Sequence, residues 1–106
     1  MYEVLFSKQA EKDKKLLKQA GLEKKTKELL NILSNDPFQT SPPYEKLLGD
    51  LKGKYSRRIN ITHRLVYKIE GKQVIVLRMW THYGDWINLA INLSKYKSFY
   101  LFYVKQ

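Results

Sequence analysis

Between Glu45 and Tyr83 the chain carries Tyr55-Ser56-Arg57-Arg58-Ile59, then His63-Arg64-Leu65-Val66-Tyr67, then Met79-Trp80-Thr81-His82-Tyr83. Every arginine and both histidines of the protein fall inside this stretch. Its three segments share a period of two, the signature of half-buried strands. In the first, Tyr55, Arg57, Ile59 and Ile61 alternate with Ser56, Arg58 and Asn60. In the second, Leu65, Tyr67 and Ile69 alternate with Arg64, Val66 and Lys68. In the third, Ile75, Leu77 and Met79 alternate with Val74, Val76, Arg78, Trp80 and His82. Thr62-His63 reads as a tight connection, with His63 a turn or surface residue, and Glu70-Gly71-Lys72 as a hairpin turn. Parity predicts one core face, and an opposite face collecting Arg58, Arg64, Arg78, Trp80 and His82. A solvated sheet face is the plain alternative for those arginines.

Outward toward the N-terminus, Lys46 to Leu51 is weakly strand-like, and Gly53 sits at a turn. The loop 38–44 contains Pro42-Pro43 and delivers Glu45 to the edge of the strands. Before it lie two helical patterns. Residues 8–20 follow Ser7, a candidate N-cap, and show a sparse apolar face of Ala10, Leu16, Leu17 and Ala20. Residues 22–34 place Leu22, Leu29, Leu30 and Leu33 on one stripe and end at Asn35-Asp36-Pro37. Tyr2 to Phe6 is a short strand candidate. The predicted fold class is α+β: two N-terminal helices packed on one face of a small twisted antiparallel sheet. Residues 1–85 form the expected domain. Residues 86–106 form a C-terminal extension, in which Ile87, Leu89, Ile91 and Leu93 alternate with polar or small residues.

The chain has 106 residues, a net charge of +10 and no cysteine. Disulfides and thiolate metal sites are therefore excluded, and a cytoplasmic location is expected. No basic-then-apolar leader stands at the N-terminus, and no apolar run approaches the roughly 20 residues of a membrane helix. The positive charge attracts polyanions, whether RNA, DNA, an acidic membrane surface or an acidic protein. The lysines of the two helices fit a solvated face, an RNA contact, or both.

The stretch 45–83 also holds the groups needed to cleave RNA by its own 2′-hydroxyl. That reaction needs a base, an acid, and cations for the charge that grows on phosphorus. Glu45 is the candidate base, His82 the candidate acid, and Arg58 and Arg64 the candidate clamps. Tyr83 can stack a base or position the phosphate. Arg57, Arg78 and Lys46 are further candidates for binding RNA phosphates. Arginines close to His82 disfavour its protonated form until a bound phosphate offsets them. No metal-ligand spacing joins His63, His82 and carboxylates, and there is no glycine-rich phosphate loop or activated serine motif. No cofactor is expected.

These residues resemble the Txe/YoeB branch of the RelE-like toxins of bacterial type II toxin–antitoxin pairs. The resemblance spans about residues 2–85 and rests on Glu45-Lys46-Leu47, Tyr55-Ser56-Arg57-Arg58-Ile59, His63-Arg64-Leu65-Val66-Tyr67 and Thr81-His82-Tyr83. It implies the two-helix, one-sheet fold and a metal-independent mRNA interferase that cuts mRNA in the ribosomal A site, leaving a 2′,3′-cyclic phosphate. By position it makes Glu45 the general base and His82 the general acid. Arg58 and Arg64 bind the phosphate, and Tyr83 supports the site. It also implies a cognate antitoxin with an acidic C-terminal segment, and a homodimer or a toxin–antitoxin heteromer. Some members carry a lysine shortly after the glutamate, where this chain has Leu48. Family chains commonly end near the His-Tyr pair, whereas here about twenty residues follow Asp85. Four readings of that extension stand: it blocks the site, extends the sheet, forms an oligomer contact, or is readthrough. Two other functions stay open: an inert RNA- or antitoxin-binding module, and a ribonuclease that needs no ribosome.

Overall fold

The structure is a computed structural model. It describes residues 1–82 and the pair Phe102–Tyr103, with only the backbone for Asp50, Thr81, His82, Phe102 and Tyr103. The elements in chain order are β1 (Glu3–Phe6), α1 (Lys8–Gln19), α2 (Glu23–Asn35), β2 (Tyr44–Lys46), a 3-10 turn (Gly49–Leu51), β3 (Lys54–Arg58), β4 (His63–Glu70), β5 (Gln73–His82) and β6 (Phe102–Tyr103). Ser7 starts α1 as expected. Its Oγ accepts from the Ala10 amide at 2.9 Å and donates to the Leu77 carbonyl at 2.7 Å, tying the cap to β5. A side-chain cap of this kind is worth about 1 kcal/mol. The stripe α1 buries is Ala10, Asp13 and Leu17, while α2 buries Leu29, Leu30 and Leu33 among others. Gly21 takes φ 74 between the helices, a left-handed conformation that a Cβ would strain.

The strands form one sheet in the order β2-β3-β4-β5-β1-β6. From β2 to β5 each neighbour is antiparallel, as expected. β1 instead runs parallel to β5, with Glu3 opposite Gln73 and Phe6 opposite Val76, so the sheet is mixed. The chain reaches that position because β1 leads straight into α1, and both helices cross one sheet face before the antiparallel strands begin. β6 then pairs antiparallel with β1, Leu5 opposite Tyr103 and Phe6 opposite Phe102. The rest of the extension lies outside the described residues.

Both faces of the sheet carry apolar clusters, which corrects the expectation of a single covered face. Between the helices and the sheet, Leu17, Leu30 and Leu33 pack on Val4, Phe6, Ile59, Leu65, Tyr67, Val74, Val76 and Met79. On the other face Leu47 and Leu51, from the segment after β2, cover Leu5, Val66, Ile75 and Leu77. Strict alternation grouped Ile75 and Leu77 with Met79 on the helix side and Val74 and Val76 on the other. The register of β4 against β5 shifts between Arg64 and Val66, and again between Val66 and Tyr67. Each shift slips an extra β5 residue past its partner and breaks the alternation. Ile61, assigned to the core by the same parity, is 87% exposed in the turn after β3.

The amides loosened by the irregular register find a partner in Asp13. Its Oδ2 accepts from Met79 N at 2.9 Å and Trp80 N at 3.2 Å, and from Arg78 Nε at 3.1 Å. The carboxylate is fully buried, so it is compensated by hydrogen bonds and by one cation.

Tyr67 is the buried phenol of the core. Burial pushes its pKa above the ordinary 10.0, and the Arg57 guanidinium beside it works in the opposite direction. A raised folded-state pKa means the folded chain keeps a proton that the unfolded chain loses. The contribution is thus intact below pH 10 and is lost as pH rises toward the folded value. Thermal melts from pH 8 to 11 are expected to show stability falling above about pH 10, with a shallower fall in Tyr67→Phe. Equal slopes for the two chains would refute this. Among the described residues no helix is long and apolar enough to cross a membrane.

Candidate active site

β2 is a three-residue strand at the sheet edge, and its register fixes the site. Glu45 lies opposite Ser56, and Tyr44 and Lys46 lie opposite Arg57 and Tyr55. Ser56 is paired in turn with Val66, and Arg58 with Arg64. Cross-strand partners share a face, so Glu45, Ser56, Arg58 and Arg64 stand on the face away from the helices. Arg64 Nη1 donates to Glu45 Oε1 at 2.8 Å and to Ser56 Oγ at 3.4 Å. The arginine side chain is 4% exposed and the glutamate 57%, so a solvent-reached carboxylate is held by a cation rooted in the sheet. Arg58, the next basic group, is exposed. All four residues line one open cleft of about 630 Å³ that wraps the end of the sheet at Asn60 and Ile61, so that Pro42, Pro43 and, from the helix side, Lys25 and Ile32 of α2 also line it.

The turn after β3 sets the direction of β4. Asn60 Oδ1 accepts from the amides of Thr62 and His63 at 2.9 and 2.7 Å, an Asx-type turn closed by a side chain. His63 opens β4 and is buried with its ring stacked on Trp80 at 3.8 Å. It is therefore a packed strand residue, which corrects its reading as a turn or surface residue. Trp80 correspondingly packs against the helix-side cluster. On β5 the register sets Thr81 opposite Arg64 and His82 opposite His63. By the same pairing rule the ladder sets position 82 on the side of His63 and position 81 on that of Arg64, against the parity expectation, and β5 ends there. Tyr83 lies outside the described residues.

Three expected phosphate ligands are placed elsewhere. Arg57 is fully buried and spends its donors on Tyr67 Oη and on the carbonyls of Pro37, Gln39 and Pro42. Arg78 is bound to buried Asp13 of α1. Lys46 is exposed but lies opposite Tyr55, on the other side of β2 from Glu45. The first two were foreseeable. Arg57 shares parity with Tyr55 and Ile59, the core side, and Asp13 shares the inner stripe of α1 with Ala10 and Leu17. Ser56, missed as a site residue, has the same parity as Arg58.

The protein matches the family model for the YoeB-like toxin of bacterial type II toxin-antitoxin systems over residues 6–83. It is 39% identical to Toxin YoeB of Streptomyces coelicolor over 74 residues, 70% of this chain and 81% of that one. It is 39% identical to Toxin YoeB of Synechocystis over 71 residues, 67% of this chain and 76% of that one. Among solved structures it resembles the toxin in the heterotetrameric YoeB-YefM toxin-antitoxin complex from Staphylococcus aureus. The TM-score is 0.67 at 35% identity, covering 78% of this chain and 99% of that one. The fold, the extent of the match and the relatives agree that this chain belongs to the YoeB-like family of type II toxins.

Proposed function

We propose that the protein is an mRNA interferase, a ribosome-dependent endoribonuclease that cuts mRNA in the A site and inhibits translation. The observation that carries this reading is the Glu45–Arg64 ion pair, with exposed Arg58 beside it in the same cleft. In the proposed reaction Glu45 takes the proton from the RNA 2′-hydroxyl. The 2′ oxygen attacks phosphorus and the bond to the 5′ oxygen breaks. His82 gives its proton to the leaving oxygen, and the products are a 2′,3′-cyclic phosphate and a free 5′-hydroxyl. Arg64 and Arg58 stabilise the extra negative charge of the phosphorane-like transition state, which arginine's planar fork suits. Arg64 also fixes the base, so one side chain orients the proton acceptor and meets the phosphate. Tyr83 supports the bound nucleotide. The chemistry uses no metal.

The partner proposed is a cognate antitoxin whose acidic C-terminal segment lies on the basic surface. The +10 charge supports it, as do relatives solved as the YoeB-YefM complex from Staphylococcus aureus and the DinJ-YafQ complex from Escherichia coli. A YoeB dimer solved from Staphylococcus aureus makes self-association a further expectation. The proposed place of action is the cytoplasm.

The test is end-mapping of mRNA in a reconstituted translation reaction, with the parent chain and His82→Ala side by side. Cuts inside the A-site codon that drop by about 10²–10⁴-fold in the variant are expected of a general acid. Intact mRNA with the parent chain would instead point to an inert binding module or to a site blocked by the C-terminal extension. Equal cutting of free RNA would make it a ribosome-independent ribonuclease.

A further inference from the structure

Glu45 sits on a strand too short to hold itself in place. β2 has three residues, pairs only with β3 among the described strands, and follows a loop without secondary structure. Arg57 ties that loop to the sheet at three carbonyls. Nη1 donates to Pro42 O at 2.7 Å; Nη2 donates to Gln39 O at 2.6 Å and Pro37 O at 3.0 Å. Nε donates to Tyr67 Oη at 3.1 Å, anchoring the other side of the guanidinium to β4. The Tyr44 ring lies 5.0 Å from its Cζ, and Phe38, Tyr44, Tyr55 and Tyr67 form a chain of ring contacts around it. The carbonyls held span the loop from its start to two residues before Tyr44. Pro37 is buried and its carbonyl also accepts from Tyr67 Oη at 3.4 Å, whereas Gln39 and Pro42 are exposed, so the guanidinium is what holds their carbonyls toward the sheet.

We propose that Arg57 is a positioning residue for the reaction. By clamping the loop 37–43 it sets Glu45 against Arg64 and fixes the Pro42–Pro43 wall of the cleft. The inference rests on the reading of Glu45 as the base. It separates the consecutive arginines by role: Arg58 faces the phosphate, and Arg57 acts through the loop. Lysine at position 57 keeps the charge but has one nitrogen, which cannot reach three carbonyls and a phenol together.

The experiment is a double-mutant cycle on single-turnover cleavage of ribosome-bound mRNA, using the full chain with Arg57→Lys, Glu45→Gln and both. Arg57→Lys is expected to lower the saturating rate by about 10–100-fold, as a misplaced catalytic group does, with the half-saturating concentration within about twofold. In the Glu45→Gln background the same change is expected to have little further effect, because the group it positions is already disabled. A full loss in both backgrounds, or a weaker half-saturation with an unchanged rate, overturns the proposal and makes Arg57 a general structural or RNA-binding residue. A Glu45→Gln chain as active as the parent overturns the base assignment instead, so the two failures are distinguishable. Pro43→Gly covers the case in which Arg57→Lys does not fold. It leaves the clamp intact and loosens its link to Glu45. The same rate loss, absent in Glu45→Gln, is expected, and an unchanged rate overturns the proposal.

Discussion

An Arg64→Lys chain is expected to fold like its parent and to cleave A-site mRNA about 10²–10³-fold more slowly at saturation, the usual cost of losing one preorganised donor at a developing charge. The reason lies in the geometry of one nitrogen. Nη1 already engages Glu45 and Ser56 together, from a side chain 4% exposed. An ammonium offers one compact charge on a flexible stem and cannot hold the base while meeting the phosphate. Charge and burial are kept, so the melting transition should lie near that of the parent, and the loss should fall on the rate rather than on binding. Full activity in Arg64→Lys would show that Arg64 contributes only charge to the cleft, and the proposed double duty would be wrong.

The second large effect is on stability. Asp13→Ala is expected to destabilise the fold by about 3–5 kcal/mol, the range for removing one partner from a buried charge pair. Asp13 Oδ2 receives two β5 amides as well as the half-buried Arg78 guanidinium, so alanine takes the acceptor from both amides and the counter-charge from the arginine. For a domain of this size that corresponds to a fall of roughly 15–30 °C in Tm, which calorimetry reads directly. Asp13→Asn keeps an acceptor for the amides but loses the charge opposite Arg78, and should fall between alanine and the parent. A melting point within a few degrees for Asp13→Ala would mean that β5 keeps its course without α1. The proposed site is expected to feel the loss too, because β5 carries His82, the proposed acid.

The helices were legible because their caps and apolar stripes are local. Ser7, the Leu29-Leu30-Leu33 stripe and Asn35-Asp36-Pro37 bound α1 and α2 to within a residue or two. β4 and the hairpin to β5 were legible because alternation and Gly71 are local too. Faces were harder. Period two assigns sides only while the ladder is regular, and the shifts in β5 moved Val74, Val76, Ile75 and Leu77 across the sheet from where counting put them. The parallel partnership of β1 and β5 left no local signal, since nothing in Tyr2 to Phe6 names its neighbour. The site was half legible. Glu45, Arg58 and Arg64 converge as expected, while Arg57 and Arg78 were grouped with them by charge although each sits against buried acceptors. Treating arginine as a surface residue by default hid this; a cation on core parity is a packing statement before it is a binding one.

The pairing of β1 with β5 also bears on how the protein comes into being. The first strand made finds its partner seventy residues later, where Ser7 Oγ reaches Leu77 O. During synthesis the nascent chain can form α1 and α2 early, but the sheet they pack on has no centre until residues 73–82 have emerged. Contacts so distant in sequence slow folding, because a long loop must close before any of them is made. The cleft between β2, β3 and β4 is oriented by that same sheet. The cleft proposed to act on RNA is therefore expected to stay unformed in a nascent chain that still lacks residues 73–82.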